Sequence, residues 1–331
     1  MDLLLSDDQR AVVASVAEVL DDLMPIENAR KLLDGNPAPL DALWQAAADA
    51  GWFGLGLPEE LGGAGFDLID EALLFVELGR RATPGPFLAT TMAARFAALC
   101  GAEEVAARLL TGDARAGLAA CEEDGQAVFY DAAGASFLLA FEHEGVALYD
   151  AGVVTRRSNR AGLDPLLRRE TAWFAGEPLV VVPPTPHGPG QHGTVLVSAM
   201  LTGIALAGRD MAVSYAKTRE QFGTPIGAFQ AVKHRCADMA VAAALADAQL
   251  TFAALSVSEA APDAAYQAAA ARVVAERAAL DNVREAIQIY GGIGVTWECD
   301  AHLYLKRVHA LRELFGGEAA QRAALLHTPP K

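Results

Sequence analysis

The sequence predicts a mainly α-helical protein with one small β domain between two helical regions. Three observations support this fold class. Apolar residues recur at helical spacing up to about residue 115, short apolar runs broken by Gly, Asp and Pro follow, and long helical stretches fill the rest. We expect an N-terminal helical domain over residues 1–115, a β domain over 116–190 and a C-terminal helical bundle over 191–331.

The N-terminal region opens with a helix whose start is marked by a capping box. Ser6 and Gln9 stand three residues apart, just before a stripe of valines, so each side chain can cap the backbone N–H of the other. Further helices are predicted near residues 40–50 and 68–78, separated by the glycine-rich stretch 51–65.

The middle region changes from helical to strand-like patterning. Four apolar runs are too short for stable helices, and several of them carry β-branched or aromatic residues. These runs lie at residues 127–130, 137–141, 146–149 and 179–182. The proline-rich stretch 183–190 is predicted to be a linker that ends the β domain.

Four long helices are predicted in the C-terminal region. They span residues 194–217, 229–257, 262–290 and 300–315. The first is apolar around most of its circumference, which is typical of a central bundle helix or an oligomer interface. Alanine clusters on the second and third favour close helix packing, so we expect a four-helix bundle.

The composition disfavours several classes of function. Among 331 residues, 26 Lys and Arg stand against 42 Asp and Glu, giving a formal net charge of −16, so general binding to nucleic acid or anionic membranes is disfavoured. The four scattered cysteines fit neither a zinc site nor a disulfide framework. No targeting segment is recognisable, and no apolar run reaches the roughly 18 residues that cross a bilayer, so we expect a cytoplasmic protein without a metal.

The most informative stretch, residues 218–234, forms the turn between the first two long C-terminal helices. A plain interhelical turn would need its glycine and proline, but it would not need Arg219, Gln221 and Gln230 on one connection. An arginine at a helix end with amides across the turn suits a pyrophosphate or an adenosine. From these residues alone, a structural turn and a nucleotide-binding turn both stay open.

A second informative stretch, residues 286–298, follows the third long helix and contains Gly291 and Gly292. Because these glycines come after a helix and not after a strand, they do not form a dinucleotide-binding fingerprint. One interpretation is a helix C-cap with a glycine-rich exit. The other is an exposed backbone turn that a phosphate can approach, with Gln288 as a donor.

Together the two stretches resemble the flavin-binding signatures of the acyl-CoA dehydrogenase family. The run from Gly51 to Gly65 and the order of the three regions also resemble that family, so the likeness extends over nearly the whole chain. The resemblance implies FAD as the cofactor and oxidation of an acyl-CoA thioester to a trans-2-enoyl-CoA. In that reaction a glutamate removes the α-proton and the β-hydrogen passes to the flavin as hydride.

The resemblance also implies where FAD would be held. The two stretches would grip the adenosine and pyrophosphate across a dimer interface, reaching a flavin that is bound mainly by the neighbouring subunit. The implied cofactor-binding residues are Arg219, Gln221, Phe222, Gln230, Gln288, Tyr290, Gly291 and Gly292.

Both positions that carry the catalytic glutamate in the family lack a carboxylate in this chain. The position after the last long helix falls on Phe315, and the alternative near the start of the first C-terminal helix falls on Gly193. Glu318 lies three residues too late to reach the same place, and Glu298 is an equally weak candidate. No catalytic residue is therefore assigned to this chain.

The β domain also departs from the family. Its Thr-Glu-Pro-x-x-Gly-Ser-Asp segment, which contacts flavin and thioester, is missing from the matching residues 117–126, and the middle β domain is shortened. We therefore do not expect this subunit to cradle its own isoalloxazine ring.

The chain keeps the residues that would hold the adenosine and pyrophosphate of FAD but lacks those that would hold the isoalloxazine ring. This indicates a FAD site that is shared between two different chains. The pattern is similar to the short, base-lacking subunit of the α2β2 heterotetrameric acyl-CoA dehydrogenases of steroid side-chain degradation. The expected partner is a larger acyl-CoA dehydrogenase subunit that binds most of the acyl-CoA, with an electron-transfer protein as acceptor. Two alternatives stay open: a self-sufficient homo-oligomeric flavoenzyme with an atypical base, and a non-catalytic scaffold or binding protein.

Overall fold

The computed structural model of the chain describes residues 4–122, 126–142, 145–159, 162–183 and 188–327. The first helices are α1 (Asp7–Leu23), α2 (Ile26–Leu33), α3 (Ala38–Asp49), α4 (Leu68–Arg80), α5 (Phe87–Leu99) and α6 (Glu103–Leu110). The strands that follow are β1 (Ala116–Cys121), β2 (Gln126–Tyr130), β3 (Phe137–Glu142), β4 (Gly145–Asp150), β5 (Val154–Asn159), β6 (Arg169–Phe174) and β7 (Val180–Val182). The remaining elements are α7 (Pro189–Thr218), the short strands β8 (Glu220–Gln221) and β9 (Thr224–Pro225), α8 (Gln230–Ser258), α9 (Ala264–Tyr290), α10 (Ala301–Leu311) and α11 (Gly317–His327). This order confirms the predicted fold class, mainly α with a small β domain.

The start of α1 has the predicted capping box. The backbone N–H of Gln9 donates to Ser6 Oγ at 3.1 Å, and the backbone N–H of Ser6 donates to Gln9 Oε1 at 3.0 Å. These two bonds satisfy backbone donors at the start of the helix that have no partner within it. The capping-box prediction is therefore confirmed.

The seven long strands form one sheet in the order β5-β6-β2-β1-β3-β4-β7. Neighbours are antiparallel except for the parallel pair β1 and β3. The predicted runs correspond to β2, β3, β4 and β7, whereas β1, β5 and β6 were not predicted. Strand β5 is an exposed, bulged edge with Arg156 at a φ of 52°, so it shows no apolar alternation in the sequence. Helix α7 already begins at Pro189, inside the predicted linker, whose residues 184–187 lie outside the described part of the chain.

Packing divides the chain into two compact units, which do not follow the predicted domain limits. One unit comprises Asp21–Glu71 and Pro84–Gly193, and the other comprises Met1–Leu20, Ala72–Thr83 and Thr194–Lys331. In the unit that contains the sheet, the ring of Trp44 lies 4.4 Å from that of Phe53 and 5.3 Å from that of Phe87. The limits 1–115, 116–190 and 191–331 stay a prediction.

The other unit is held together by close helix crossings. A Cβ added to Gly203 on α7 would lie 2.0 Å from the carbonyl oxygen of Val76 on α4, so the two backbones meet directly. Asn282 on α9 is buried, and its Nδ2 donates to the carbonyl oxygens of Ala205 and Met239 at 2.9 Å each. This one side chain therefore ties α7, α8 and α9 together.

The helix predicted over residues 300–315 is confirmed as α10, but it ends four residues earlier than predicted. Helix α10 ends at Leu311, and α11 begins at Gly317. Phe315, Gly316 and Gly317 have φ values of 55°, 84° and 64°, and three successive positive values cannot continue a right-handed helix. The four predicted C-terminal helices are therefore all present among the described residues, and α11 is an additional helix that the sequence analysis did not predict.

Helices α7 and α8 are each long and apolar enough to cross a membrane, which corrects the expectation that no stretch has this property. Length and composition alone do not separate a membrane span from a core helix of a soluble protein. In α7, 78% of the most apolar window is buried inside the protein, as in a core helix. In α8 the buried share is only 33%.

Candidate functional site

The turn between α7 and α8 is a small hairpin with an exposed aromatic tip. Strands β8 and β9 pair, and the two residues between them, Phe222 and Gly223, have φ values of 55° and 77°. Two positive φ values define a type I′ turn, which glycine adopts readily and phenylalanine does not. Phe222 is also 95% exposed, and its ring meets that of Phe229 only edge-on with centroids 6.3 Å apart, so burial in a core does not explain its strained conformation.

The backbone of Arg219 is fixed while its side chain stays available. Its N–H donates to the carbonyl oxygen of Tyr215, and its own carbonyl oxygen accepts from the N–H of Ile226, both at 2.8 Å. The guanidinium is exposed, and no carboxylate of the described residues forms an ion pair with it. A guanidinium that has no counter-ion among the described residues, on a backbone fixed by hydrogen bonds, is suited to binding an anionic ligand.

The exit of α9 forms the predicted helix C-cap and leaves open space beside its first two glycines. The N–H of Gly291 donates to the carbonyl oxygens of Ile287 and Gln288 and so caps the helix, at a φ of 68° that suits glycine. A Cβ added to Gly291 or Gly292 would meet nothing within 4 Å, whereas one on Gly294 would lie 2.5 Å from the carbonyl oxygen of Ile287. The first two glycines thus leave open space for a ligand, and the third is needed for packing.

The structure brings the two stretches to the same end of α7, α8 and α9. The rings of Tyr215 and Tyr290 stack with centroids 4.3 Å apart, and burial raises the pKa of the Tyr290 phenol, with Cys299, Asp300 and Tyr215 adding to the shift. Buried side chains beneath them join the three helices: Ala212, Ala216, Met239, Ala286 and Ile289. The predicted residues Arg219, Gln221, Gln230 and Gln288 are all exposed around this end. That they bind FAD stays a prediction.

Apolar side chains that the sequence analysis did not single out surround the same end. Phe229 is 40% exposed, and Ile293, Val295 and Trp297 on the loop after α9 are 48%, 75% and 55% exposed. Ile293, Val295 and Trp297 occupy every second position of the loop, which was visible in the sequence. Only the structure shows that these side chains are exposed. Clustered exposed apolar residues beside unpaired polar ones are typical of an interaction surface.

At neither of the two positions that hold the glutamate base in the family does this chain carry a carboxylate. Phe315 lies in the kink between α10 and α11, where its carbonyl oxygen accepts from Gln321 Nε2 at 2.8 Å, and its ring cannot take up a proton. Gly193 is buried within α7. Glu298 is exposed ahead of α10.

Glu318 is held in two ion pairs. Its carboxylate oxygens lie 2.8 Å from Arg312 Nη2 and 2.7 Å from Arg322 Nη2. Desolvation raises the pKa of Glu318, but the Arg322 and Arg312 guanidiniums outweigh it, so this pKa lies below the usual value for a glutamic acid. A carboxylate stabilised in its charged form is a weak proton acceptor, which argues against Glu318 as a base.

A buried acid–base pair that the sequence analysis missed lies beside Gly193. Nε2 of His192 is 2.5 Å from Oε2 of Glu71, and the two side chains are 8% and 2% exposed. The backbone of Gly56 covers the carboxylate, because a Cβ there would lie 3.3 Å from it. The pair joins the first turns of α4 and α7, and because its members are far apart in the sequence, no local pattern could have revealed it.

The segment that replaces the family's flavin-contacting motif is only partly described. Residues 117–121 belong to β1, and residues 123–125 lie outside the described part of the chain. The expectation that this segment cannot cradle an isoalloxazine ring therefore stays a prediction.

Comparison with known protein families identifies two regions. The model described as "Acyl-CoA dehydrogenase, N-terminal domain" matches residues 6–116, and "Acyl-CoA dehydrogenase, C-terminal domain" matches residues 191–327. The acyl-CoA dehydrogenase IpdE2 of Mycobacterium tuberculosis is 37% identical over 294 residues, which cover 83% of this chain and 82% of that protein.

Solved structures share the fold over the full length. A chain of the ChsE4-ChsE5 complex from Mycobacterium tuberculosis superposes with a TM-score of 0.83 at 25% identity, covering 100% of both chains. A chain of the Tcur3481-Tcur3483 steroid ACAD, in a variant form, superposes with a TM-score of 0.83 at 24% identity, covering 97% of each chain.

Proposed function

The chain belongs to the acyl-CoA dehydrogenase family, and from this premise we propose that it is the subunit of a heteromeric enzyme that holds the tail of FAD. A homologous, larger subunit contributes the glutamate base, the flavin cradle and most of the acyl-CoA site. One observation carries the proposal: an exposed set of polar groups suited to a nucleotide tail stands in a chain without a carboxylate at either base position.

The residues at the common end of α7, α8 and α9 fit the polar tail of FAD. Arg219 and Gln288 present a guanidinium and an amide to solvent, without partners among the described residues. A guanidinium binds two phosphate oxygens at once, and the open backbone at Gly291 and Gly292 allows phosphate to come close. Phe222 lies on the turn and Gln230 at the start of α8, and both are exposed. Together with Arg219, Gln288 and the two glycines, they form what we call the cofactor-binding arm.

The flavin of FAD supplies the oxidising chemistry of the family's reaction, the α,β-desaturation of an acyl-CoA. That reaction also needs a base within about 2.6–3.2 Å of the α-proton. Phe315 and Gly193 have no group that can accept a proton, and Glu318 is held by two arginines. The chain's own residues therefore bind and orient the cofactor tail, and the proton is taken up by the partner subunit.

We propose a steroid side-chain CoA thioester as the substrate and an electron-transfer protein as the acceptor of the electrons. The shared fold with a steroid ACAD and with a subunit of a two-protein complex supports this assignment. The IpdE2 relative supports the family and covers most of the chain. The acidic surface is consistent with a cytoplasmic enzyme that does not bind nucleic acid or membranes.

A reconstitution experiment tests the proposal. The chain is assayed for acyl-CoA desaturation alone and after co-expression with a larger acyl-CoA dehydrogenase subunit from the same organism that carries the glutamate base. We expect turnover only from the co-expressed pair, and loss of turnover when the glutamate base of the larger subunit is changed to glutamine. Full activity of this chain by itself would contradict the proposal.

The Glu318→Gln variant separates the proposed arrangement from a self-sufficient enzyme. We expect the turnover of the assembled enzyme to change less than twofold, because the ion-paired Glu318 does not remove the proton. General base catalysis contributes roughly 10²–10⁴-fold, so a loss of that size would identify Glu318 as the base. A folded pKa below the ordinary value makes Glu318 stabilising at neutral pH, and this contribution disappears as the pH falls through the folded pKa.

Phe222→Asn should raise stability and weaken cofactor binding together. Asn followed by Gly223 suits a type I′ turn, and relieving part of a left-handed strain of roughly 1–2 kcal/mol should raise the unfolding free energy by about 0.5–1 kcal/mol. Loss of the exposed ring should increase the dissociation constant of FAD from the assembled enzyme. Urea unfolding and FAD titration measure the two effects.

Phe229→Asn provides the matched control for this prediction. Phe229 lies in the same turn but has a φ of −77°, so its replacement relieves no left-handed strain and should not stabilise the chain. A stability gain of equal size in both variants, or a stability loss in Phe222→Asn, would contradict the explanation.

A further inference from the structure

Two stacked tyrosine rings join the two stretches that carry the cofactor-binding arm. Tyr215 lies in the last turn of α7, four residues before Arg219, and Tyr290 is the last residue of α9, two residues after Gln288. The ring centroids are 4.3 Å apart, and the ring planes differ by 27°. The stack therefore connects the helix that leads into Arg219 directly to the helix that ends at the glycine-rich exit.

The backbone of Tyr215 also holds the start of the turn that presents Arg219. Its carbonyl oxygen accepts from the N–H of Arg219 at 2.8 Å and from the hydroxyl of Thr218 at 3.3 Å. The chain that returns from the turn packs closely on α7, because a Cβ added to Gly227 would lie 2.9 Å from the carbonyl oxygen of Ala216. The position of Arg219 therefore depends on the last turn of α7, which Tyr215 connects to α9.

The stack lies at the rim of the helix packing and not in its centre. Tyr215 and Tyr290 are both half-buried, whereas the side chains beneath them are buried and already join α7, α8 and α9. Asn282 ties the same three helices together with two further hydrogen bonds. Loss of one ring at the rim should therefore leave the helix packing intact, while the exposed residues beside the stack lose their support.

Binding of a nucleotide tail requires the two stretches at a fixed separation, and this step rests on the proposed function. That function places Arg219 and the open backbone at Gly291 and Gly292 around one pyrophosphate. Charge-assisted hydrogen bonds to phosphate are about 2.7–2.9 Å long, so a shift of roughly 1 Å between the ends of α7 and α9 would lengthen some of them beyond use. An arm that is already held in the right geometry also spends less free energy on ordering when FAD binds.

We infer that Tyr215 is a positioning residue for cofactor binding. Its stack on Tyr290 sets the separation between Arg219 and the exit of α9, and Tyr215 acts on the cofactor through Arg219. The sequence analysis assigned Tyr290 to the cofactor-binding residues but gave no role to Tyr215, because the partner ring lies on a helix that is distant in the sequence.

The test measures FAD affinity in the complex with a larger acyl-CoA dehydrogenase subunit from the same organism that carries the glutamate base. Tyr215→Leu keeps an apolar side chain but removes the stack, whereas Tyr215→Phe keeps the ring. We expect Tyr215→Leu to raise the dissociation constant of FAD roughly 2- to 12-fold, which corresponds to the interaction energy of an aromatic pair. Tyr215→Phe should bind FAD like the wild type.

Tyr266→Leu is the matched control. Tyr266 is also half-buried and lies on α9, but it is near the other end of the helix, roughly 36 Å from Tyr290 along the axis. Its replacement should leave the FAD affinity unchanged.

A double-mutant cycle with Arg219→Ala separates positioning from a purely structural role. If Tyr215 acts through Arg219, Tyr215→Leu should raise the dissociation constant of FAD by less than about twofold once Arg219 is already alanine. A general loss of stability would instead weaken FAD binding by the same factor in both backgrounds.

Three outcomes would overturn the inference and leave the proposed function standing, as long as Arg219→Ala by itself weakens FAD binding. The first is wild-type FAD affinity in Tyr215→Leu. The second is an equal loss in Tyr215→Phe, which would assign the effect to the hydroxyl and not to the stack. The third is an equal loss in both backgrounds of the cycle or in Tyr266→Leu. Unchanged FAD affinity in Arg219→Ala would contradict the proposed function itself, and the role of Tyr215 with it.

Discussion

Replacing Arg219 by alanine should strip FAD from the assembled enzyme while its subunits stay together. The Arg219 guanidinium is exposed just after α7 and forms no ion pair with a described residue, so the substitution breaks no ion pair in the described part of the chain. A hydrogen bond to a charged group is worth roughly 1.5–3 kcal/mol, which corresponds to about a 10- to 150-fold weaker affinity for FAD. Fluorescence titration of the apo-complex with FAD measures this change.

Lys217→Ala is the matched control for Arg219→Ala. Lys217 is exposed in the last turn of α7, two residues before Arg219, so it tests whether removing any positive charge nearby has the same effect. Turnover of Arg219→Ala should recover in excess FAD, because the proposed function assigns the base and the acyl-CoA site to the partner. Unchanged FAD affinity in Arg219→Ala, or an equal loss in Lys217→Ala, would remove the main residue of the shared site.

Glu276→Gln should be the most destabilising single substitution that we predict. Glu276 Oε1 lies 2.5 Å from Arg312 Nε and Glu276 Oε2 lies 3.6 Å from Arg272 Nε, with the Glu276 side chain only 4% exposed. Burial lowers the pKa of Arg272 to about 10, and its Nη2 donates to the carbonyl oxygen of Leu311 at 2.7 Å. Without the carboxylate, a buried guanidinium loses its counter-ion, which costs roughly 3–5 kcal/mol.

Urea unfolding of Glu276→Gln beside Glu285→Gln measures this cost. Glu285 pairs with Arg235 at 2.5 Å, but the two side chains are 41% and 46% exposed, so losing that pair should cost only about 0–1 kcal/mol. Similar unfolding free energies for both variants would mean that the buried network does not hold the kink between α10 and α11.

That kink shows where reasoning from the sequence reaches its limit. Residues 300–315 have a continuous helical pattern, and the local stop signal, Gly316 and Gly317, predicts an end near residue 315 and not at Leu311. The break depends on side chains of α9 and α11, since Arg272 holds the carbonyl oxygen of Leu311 and Glu318 pairs with Arg312. Such long-range contacts cannot be read from periodicity, and the same is true of the buried Glu71 and His192 pair.

Features governed by neighbouring residues were predictable. The Ser6 and Gln9 capping box and the glycine-rich exit at Gly291 depend on residues a few positions apart, and both have the expected geometry. The residues of stretches 218–234 and 286–298 alone left a structural turn and a nucleotide-binding turn both open, and only their resemblance to the family's flavin-binding signatures pointed to FAD. The exposure of Val241 and Leu245 on α8 was not predictable, because these residues look like ordinary core positions until the packing of α9 is known.

The most direct test of the shared site is the amount of FAD bound per subunit. The chain is purified alone and together with a larger acyl-CoA dehydrogenase subunit from the same organism that carries the glutamate base, and both flavin content and native mass are measured. We expect no FAD on the lone chain and about two FAD per α2β2 tetramer. One FAD per subunit on the lone chain would contradict it, because the chain would then contain a complete site of its own.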